Sequence, residues 1–409
     1  MSTDTGIVIV GGGLAAAKAA EAVRAAQFDG PVTVLGEERH HPYERPPLSK
    51  GYLQGSAERD SVFVHPASWY AEHGVDLRLG AAVAALDRAG RRVVLADGAS
   101  VGYRRLLIAT GSSPRPIGVP GEDLSGVHRL RRIEDCEEIR AAFAVATHVV
   151  VVGAGWIGLE TAAAARMAGV ADVTVLESAS APLLRVLGPE VADVFVDLHR
   201  EHGVEMRFDV RVTGFTGRDG VVTGVDLADG SHLNADVVVV GVGITPNVEL
   251  ARDAGLEVDD GIVVDEHLRT SDPDVFAAGD VANAWNPTLG RRIRVEHWAN
   301  AVNQPVVAAA GLVGREAVYE RLPYFYSDQY DLGLEYLGLA AQGEYDRVVI
   351  RGDRPGRELI AFWLSGGRVL AGMNVNVWDV TEPIRALITS RRQVDVDRLA
   401  DASIPLEEV

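Results

Sequence analysis

A chain of 409 residues is more than one hydrophobic core usually fills, so two or three domains are expected. The net charge of −19 argues against nucleic acid and anionic membrane as partners, and the single cysteine, Cys136, excludes a disulfide within the chain, structural or redox-active. No window approaches the roughly 18 uncharged apolar residues of a membrane span, and the polar stretch 1–6 carries no basic leader, so a cytoplasmic protein is expected.

The first apolar run, Ile7 to Val10, reads as a strand ending in Gly11-Gly12-Gly13-Leu14-Ala15-Ala16. An alanine-rich helix and a second strand, Val32 to Leu35, complete a β-α-β unit. A strand-rich stretch closes on Leu106-Leu107-Ile108-Ala109-Thr110-Gly111, and the Pro/Gly-rich segment 112–121 reads as a crossing between domains. The opening pattern then returns: a strand Val149 to Val152, the loop Gly153-Ala154-Gly155-Trp156-Ile157-Gly158, a helix through Ala168 and a strand Val173 to Leu176. An apolar strand over 236–243 ends in glycines, Gly243 the last. Another, Val275 to Ala278, ends in Gly279-Asp280, and a helical run follows over 299–312. From about Tyr319 the texture changes to alternating aromatic strands, Glu358 to Leu364 among them, with a short helix from Thr381. The expected fold is α/β: two nested Rossmann-like dinucleotide-binding domains, glutathione-reductase-like, plus a small α+β C-terminal domain. The expected boundaries are 1–112 and 242–318 for the first domain, 113–241 for the second and 319–409 for the third.

The two loops read G-x-G-x-x-A (Gly11, Gly13, Ala16) and G-x-G-x-x-G (Gly153, Gly155, Gly158), each between a strand and a helix. Such a loop lets backbone N–H groups approach a pyrophosphate, with the helix N-terminus contributing about half a positive charge. Leu14 and Ile157 lie within these loops. Read alone, either loop is also a tight turn that binds nothing. Each is followed at the end of its second strand by a carboxylate, Glu37 and Glu177, positioned to accept hydrogen bonds from ribose hydroxyls. Glu177 would repel a 2′-phosphate, so the second site should prefer NADH to NADPH.

The run Tyr43-Glu44-Arg45-Pro46-Pro47-Leu48-Ser49-Lys50, with Ala109-Thr110-Gly111, Phe276-Ala277-Ala278-Gly279-Asp280 and Ser327-Asp328-Gln329-Tyr330, resembles the FAD-dependent NADH–ferredoxin reductases of oxygenase systems. This is the family of the putidaredoxin and biphenyl dioxygenase ferredoxin reductases, and the similarity runs over essentially the whole chain. It implies that the first module holds FAD and the second NADH, with Ala15, Glu37, Arg45, Lys50, Val83, Arg131 and Asp280 around FAD. Asp280 also reads as a helix N-cap. The stretch Arg294-Val295-Glu296-His297-Trp298 would bring a helix N-terminus to the flavin, with Glu296 and Trp298 as site candidates. Lys50 and Glu160 are implied beside the flavin atom that receives the hydride, although an ordinary surface charge is the commoner role of any single Lys or Glu. Tyr326 departs from the family, whose members usually place tryptophan there.

Hydride transfer between such cofactors needs no protein nucleophile, and no triad or metal-ligand cluster is visible in the sequence; His40-His41 reads as loop. The resemblance implies single-electron delivery to a 2Fe-2S ferredoxin. A rubredoxin partner, or an apoptosis-inducing-factor-like interaction protein, remains open. Arg291, Arg292 and Arg294, with Arg391 and Arg392, are candidate basic clusters for docking an acidic partner.

Overall fold

The computed structural model describes residues 6–409; the remainder of the polar stretch 1–6 lies outside the described residues. Its elements follow from short runs of β-branched residues that alternate with alanine-rich helices. β1 (Ile7–Val10) leads into α1 (Leu14–Ala25) and β2 (Val32–Leu35), followed by β3 (Val75–Arg78) and β4 (Arg105–Ile108). α2 (Ile133–Phe143) precedes the second copy: β5 (His148–Val152), α3 (Trp156–Met167) and β6 (Asp172–Leu176). Then come α4 (Pro189–Glu201), β7 (Val204–Arg207), β8 (Val237–Val240), β9 (Val275–Ala277) and α5 (Trp298–Leu312). The last part holds β10 (Tyr324–Gln329), β11 (Leu332–Gly338), β12 (Arg347–Asp353), β13 (Glu358–Ser365), β14 (Arg368–Val375) and α6 (Thr381–Ser390).

By Cα proximity the chain divides into two units. The first comprises residues up to Arg45, Arg59–Ser113 and Thr245–Pro323. Its sheet runs β9-β4-β1-β2-β3, parallel throughout. β1 and β2 are buried along their whole length, as a parallel sheet covered on both faces requires. Ala16, Ala17, Ala19 and Ala20 of α1 are fully buried, and their small side chains let the helix lie close to the sheet.

The second unit comprises Pro46–Glu58, Pro114–Ile244 and Tyr324–Val409. Its parallel sheet runs β7-β6-β5-β8, extended by the two-residue strand Val127–His128. A second, antiparallel sheet of order β10-β11-β14-β13-β12 is built from the C-terminal residues. Trp363 of β13, fully buried, donates its indole N–H to the carbonyl of Leu187 at 3.0 Å. Pro46–Glu58, which carries the Pro-Pro-Leu-Ser-Lys run, belongs to this unit: the Tyr52 hydroxyl donates to Glu137 Oε1 of α2 at 2.7 Å.

Two local expectations change. The strand expected over 236–243 is confined to Val237–Val240, where its pairing with β5 ends. Asp280 is not a helix N-cap: the strand Ala282–Asn286 follows it, and Asp280 accepts a hydrogen bond from Ser112 Oγ at 2.7 Å.

Candidate functional site

In each parallel sheet the glycine loop sits at the C-terminal end of the middle strand, where such folds take their ligands. Gly11 and Gly153 have φ of 125° and 103°, and a Cβ at either would lie 2.1 or 2.4 Å from a backbone oxygen, of Ala109 or Gly241. No side chain is tolerated there. At Gly13 and Gly155, the N-caps of α1 and α3, the space beyond the Cα is open to 4 Å. Neither helix has a side-chain cap or an acidic residue in its first turn. The backbone N–H groups of both N-termini are therefore presented to an anion, which is what a dinucleotide pyrophosphate requires.

Around the first loop, within the first unit, Leu14, Ala15 and Ala109 are nearly buried. Gly279 approaches Ala15, the Cβ of one lying 3.2 Å from where the other's would be. Gln304 of α5 accepts the Gly279 N–H at 2.8 Å, and its own amide nitrogen is buried without a partner. Such an orphaned donor suits an acceptor supplied by a ligand. Thr110 and Gly111 are tied to Asn247: Thr110 Oγ1 donates to its carbonyl at 2.8 Å, and Asn247 Nδ2 donates to the Thr110 carbonyl at 2.8 Å. Glu37 is exposed at the end of β2, and Val83 is half-buried. Arg45 Nη2 lies 2.9 Å from Glu38 Oε1, with Tyr43 donating to the same carboxylate. Trp298 is the first residue of α5, and its indole N–H donates to Glu44 Oε2 at 3.2 Å.

In the second unit Glu177 closes the second loop on itself. Its Oε2 accepts the Ala154 N–H at 2.8 Å; its Oε1 accepts the Ala179 N–H at 2.9 Å and Ser178 Oγ at 3.1 Å. Three of its roughly four lone-pair sites are used, which leaves one acceptor direction for a ribose hydroxyl. Ile157 is exposed in the first turn of α3, Gly243 has open space around it, and the Arg131 N–H donates to Asp135 Oδ2 at 2.8 Å.

Also in this unit, the structure brings together Lys50 and Glu160, 110 residues apart in sequence. Glu160 Oε1 accepts Lys50 Nζ at 2.7 Å and Ser327 Oγ at 2.6 Å, while Oε2 accepts Ser49 Oγ at 2.5 Å. Glu160 is 2% exposed and Lys50 14%, so neither is a surface charge. Lys50 Nζ also lies 5.4 Å from the centroid of the Tyr326 ring, within cation–π range. On the same strand burial pushes the Asp328 carboxyl above its usual range, with Lys50 opposing the shift.

Residues 5–305 match the description of the pyridine nucleotide-disulphide oxidoreductases, and 324–409 that of a reductase C-terminal domain. The chain belongs to the pyridine nucleotide-disulphide oxidoreductase family. It is 43% identical over its full length to the ferredoxin–NAD(+) reductase component of the anthranilate 1,2-dioxygenase system of Burkholderia cepacia, covering 99% of that protein. It is 39% identical to putidaredoxin reductase of Pseudomonas putida, covering 100% of this chain and 97% of that one. Putidaredoxin reductase solved in covalent complex with putidaredoxin superimposes with a TM-score of 0.93, at 39% identity, over 99% of this chain and 97% of that one.

As an oxidoreductase of this family the chain contains FAD and uses NADH. The family's disulphide chemistry has no counterpart within it: Cys136 lies buried in α2, and burial pushes its thiol up to about 12. Among the described residues no helix is long and apolar enough to cross a membrane. Of the basic clusters in the reductase, Arg294 is only 10% exposed and pairs with Asp260 at 3.1 Å and Glu296 at 2.5 Å. Arg292 Nη1 donates to the Val264 carbonyl at 2.5 Å, and Arg392 donates to the Val409 carbonyl. Arg294 is therefore no isolated positive charge, and Glu296 answers it rather than facing a ligand alone. Sequence reading gave no role to Ser49, Ser327, Ser112, Asn247 or Gln304. The first two lie inside the motifs that carried the resemblance, but nothing local shows that they converge on Glu160.

Proposed function

We propose that this oxidoreductase takes hydride from NADH and delivers single electrons to a 2Fe-2S ferredoxin that feeds a monooxygenase or dioxygenase. The observation that carries the reading is the pair of open, uncapped glycine loops in a chain whose one cysteine is buried. FAD, when bound, accepts the hydride as a pair of electrons and releases them one at a time.

The chain's own residues do the rest. The N–H groups at the start of α1, with Ala15, Glu37, Val83, Arg45, the Ala109-Thr110-Gly111 turn and the Gly279-Asp280 turn, hold FAD. Ser112 orients the Asp280 carboxylate for a polyol chain. The N-terminus of α5, at Trp298, contributes its partial positive charge to stabilise developing negative charge. The N–H groups at the start of α3 hold the NADH pyrophosphate, while Ile157, Gly243 and Glu177 shape the pocket for its ribose. Lys50 and Glu160 orient the nicotinamide, with Tyr326 as the stacking aromatic. The cytoplasm is where this reading places the enzyme.

The test is NADH-dependent cytochrome c reduction across a panel of ferredoxins and rubredoxins. Fast turnover only with a 2Fe-2S ferredoxin supports the proposal. Turnover only with rubredoxin moves the partner, and slow turnover with every carrier returns the protein to an interaction role.

A further inference from the structure

We infer that Ser327, Gln329 and His199 form a one-directional hydrogen-bond relay that positions the Glu160 carboxylate. This rests on the reading above, in which Glu160 orients the nicotinamide. The relay runs through three elements of the second unit. Ser327 Oγ donates to Glu160 Oε1 at 2.6 Å; Gln329 Nε2 donates to Ser327 Oγ at 3.2 Å; His199 Nε2 lies 2.9 Å from Gln329 Oε1. Ser327, Gln329 and His199 are all 0% exposed. α4 supplies His199, β10 supplies Ser327 and Gln329, and α3 supplies Glu160.

The direction of every bond follows from the carboxylate. A carboxylate only accepts, so the single hydroxyl proton of Ser327 is committed to Glu160. Ser327 Oγ must then accept from the amide nitrogen of Gln329, which turns the amide oxygen toward His199. That oxygen needs a donor, so the His199 proton sits on Nε2. Burial holds His199 down to about 4, which keeps the ring neutral, and its Nδ1 is buried without a partner. The tautomer set by the relay leaves Nδ1 as an unmet acceptor; the other would bury an unmet donor there and face two lone pairs toward each other at Nε2. Reversing any one link therefore breaks all of them.

A buried chain of this kind is more than packing, because each donor polarises the next and the last is aimed at a charge. Ser49 and Lys50 approach Glu160 from the segment 46–58, and Ser327 approaches from β10. With Ser327 held by Gln329 and His199, the carboxylate has one orientation. Without them Ser327 is free to rotate and Glu160 loses a fixed support.

The relay is tested by stopped-flow reduction of the bound flavin by NADH in the holoenzyme, with histidine nitrogen NMR of the same protein. His199→Leu removes the terminal donor, whereas His199→Gln places an amide nitrogen near the former Nε2. The limiting reduction rate is expected to fall about tenfold or more in His199→Leu, with NADH affinity changed less than about threefold, and to recover in His199→Gln. If His199→Leu does not fold, Gln329→Met breaks the same chain on β10 and carries the same expectation. NMR of the wild type is expected to show His199 as the neutral Nε2–H tautomer between about pH 5 and pH 8. Equal loss in His199→Leu and His199→Gln means packing and overturns the relay, as does an Nδ1–H tautomer. Glu160→Gln separates the two levels. If it is slow while the His199 and Gln329 variants match the wild type, the relay falls and the site stands; if it too matches the wild type, both fall.

Discussion

Gly158→Ala puts the geometry of the second loop to a quantitative test. A Cβ at Gly158 would lie 2.0 Å from the Gly153 carbonyl oxygen and 3.1 Å from its carbon. Ordinary contact begins near 3.4 Å, so the first turn of α3 must move from Gly153 by about 1.4 Å. Backbone N–H groups aimed at a pyrophosphate do not survive such a shift. Losing two hydrogen bonds to a charged group, at about 1.5–3 kcal/mol each, weakens NADH binding by roughly 100-fold or more. The first module supplies the control: its counterpart, Ala16, is fully buried and already carries a Cβ. Ala16→Gly therefore retains FAD and loses only about 1 kcal/mol of helix preference. The assay is flavin reduction against NADH concentration, with FAD content measured from absorbance. A Gly158→Ala enzyme with normal FAD content and an NADH Kd within threefold of wild type would refute the reasoning.

Glu177→Ala removes the carboxylate that ties Ala154 to Ala179, so NADH should bind more weakly and the preference over NADPH should narrow; an unchanged ratio of kcat/KM for the two coenzymes counts against it. Cys136 should stay inert to thiol reagents in the native protein, since its buried thiol is pushed up to about 12, and should react only on denaturation; fast native labelling contradicts this. His199 falls from 6.5 in the unfolded chain to about 4 when folded, so the unfolded state binds the extra proton between those values and stability drops as pH falls from about 6.5 toward 4. The full effect is about 3 kcal/mol, read as a falling urea midpoint that is flatter in His199→Gln; equal slopes in both proteins would sink the assignment.

What could be read in the sequence is what adjacent residues determine. The valine runs of β5 and β8, and glycines followed by alanines, fix strands, loops and helices within a few positions. The acids at the ends of β2 and β6 follow from the same local pattern. Only the alternative reading of Asp280 as a helix N-cap fails, because a carboxylate after glycine is a common helix start and only the pairing of Ala282–Asn286 as a strand shows otherwise. The Glu160 cluster was beyond local reading. Its donors Ser49 and Ser327 lie 111 and 167 positions away, and they converge only because the segment 46–58 and β10 both pack against α3. Of the arginines at 291–294, adjacent in sequence, Arg294 is answered by Asp260, which is distant in sequence and invisible to local reading.

The duplicated module separates what a position does from what its surroundings make of it. Counting two residues past the last fingerprint position gives Glu160 in the second copy and Lys18 in the first. Each is the fifth residue of a helix that follows a glycine loop. Lys18 pairs with Glu21 at 2.9 Å across one turn, and both are partly exposed, so the contact contributes little. Glu160 is buried and held by three donors from two other segments. Burial of an ionic group on this scale costs stability unless its partners are fixed, and removing one partner costs about 3–5 kcal/mol. A site that only had to fold would do as well with the arrangement at Lys18. A buried carboxylate with its own supporting hydroxyls, present in the second copy alone, is what the proposed role of Glu160 toward the nicotinamide requires.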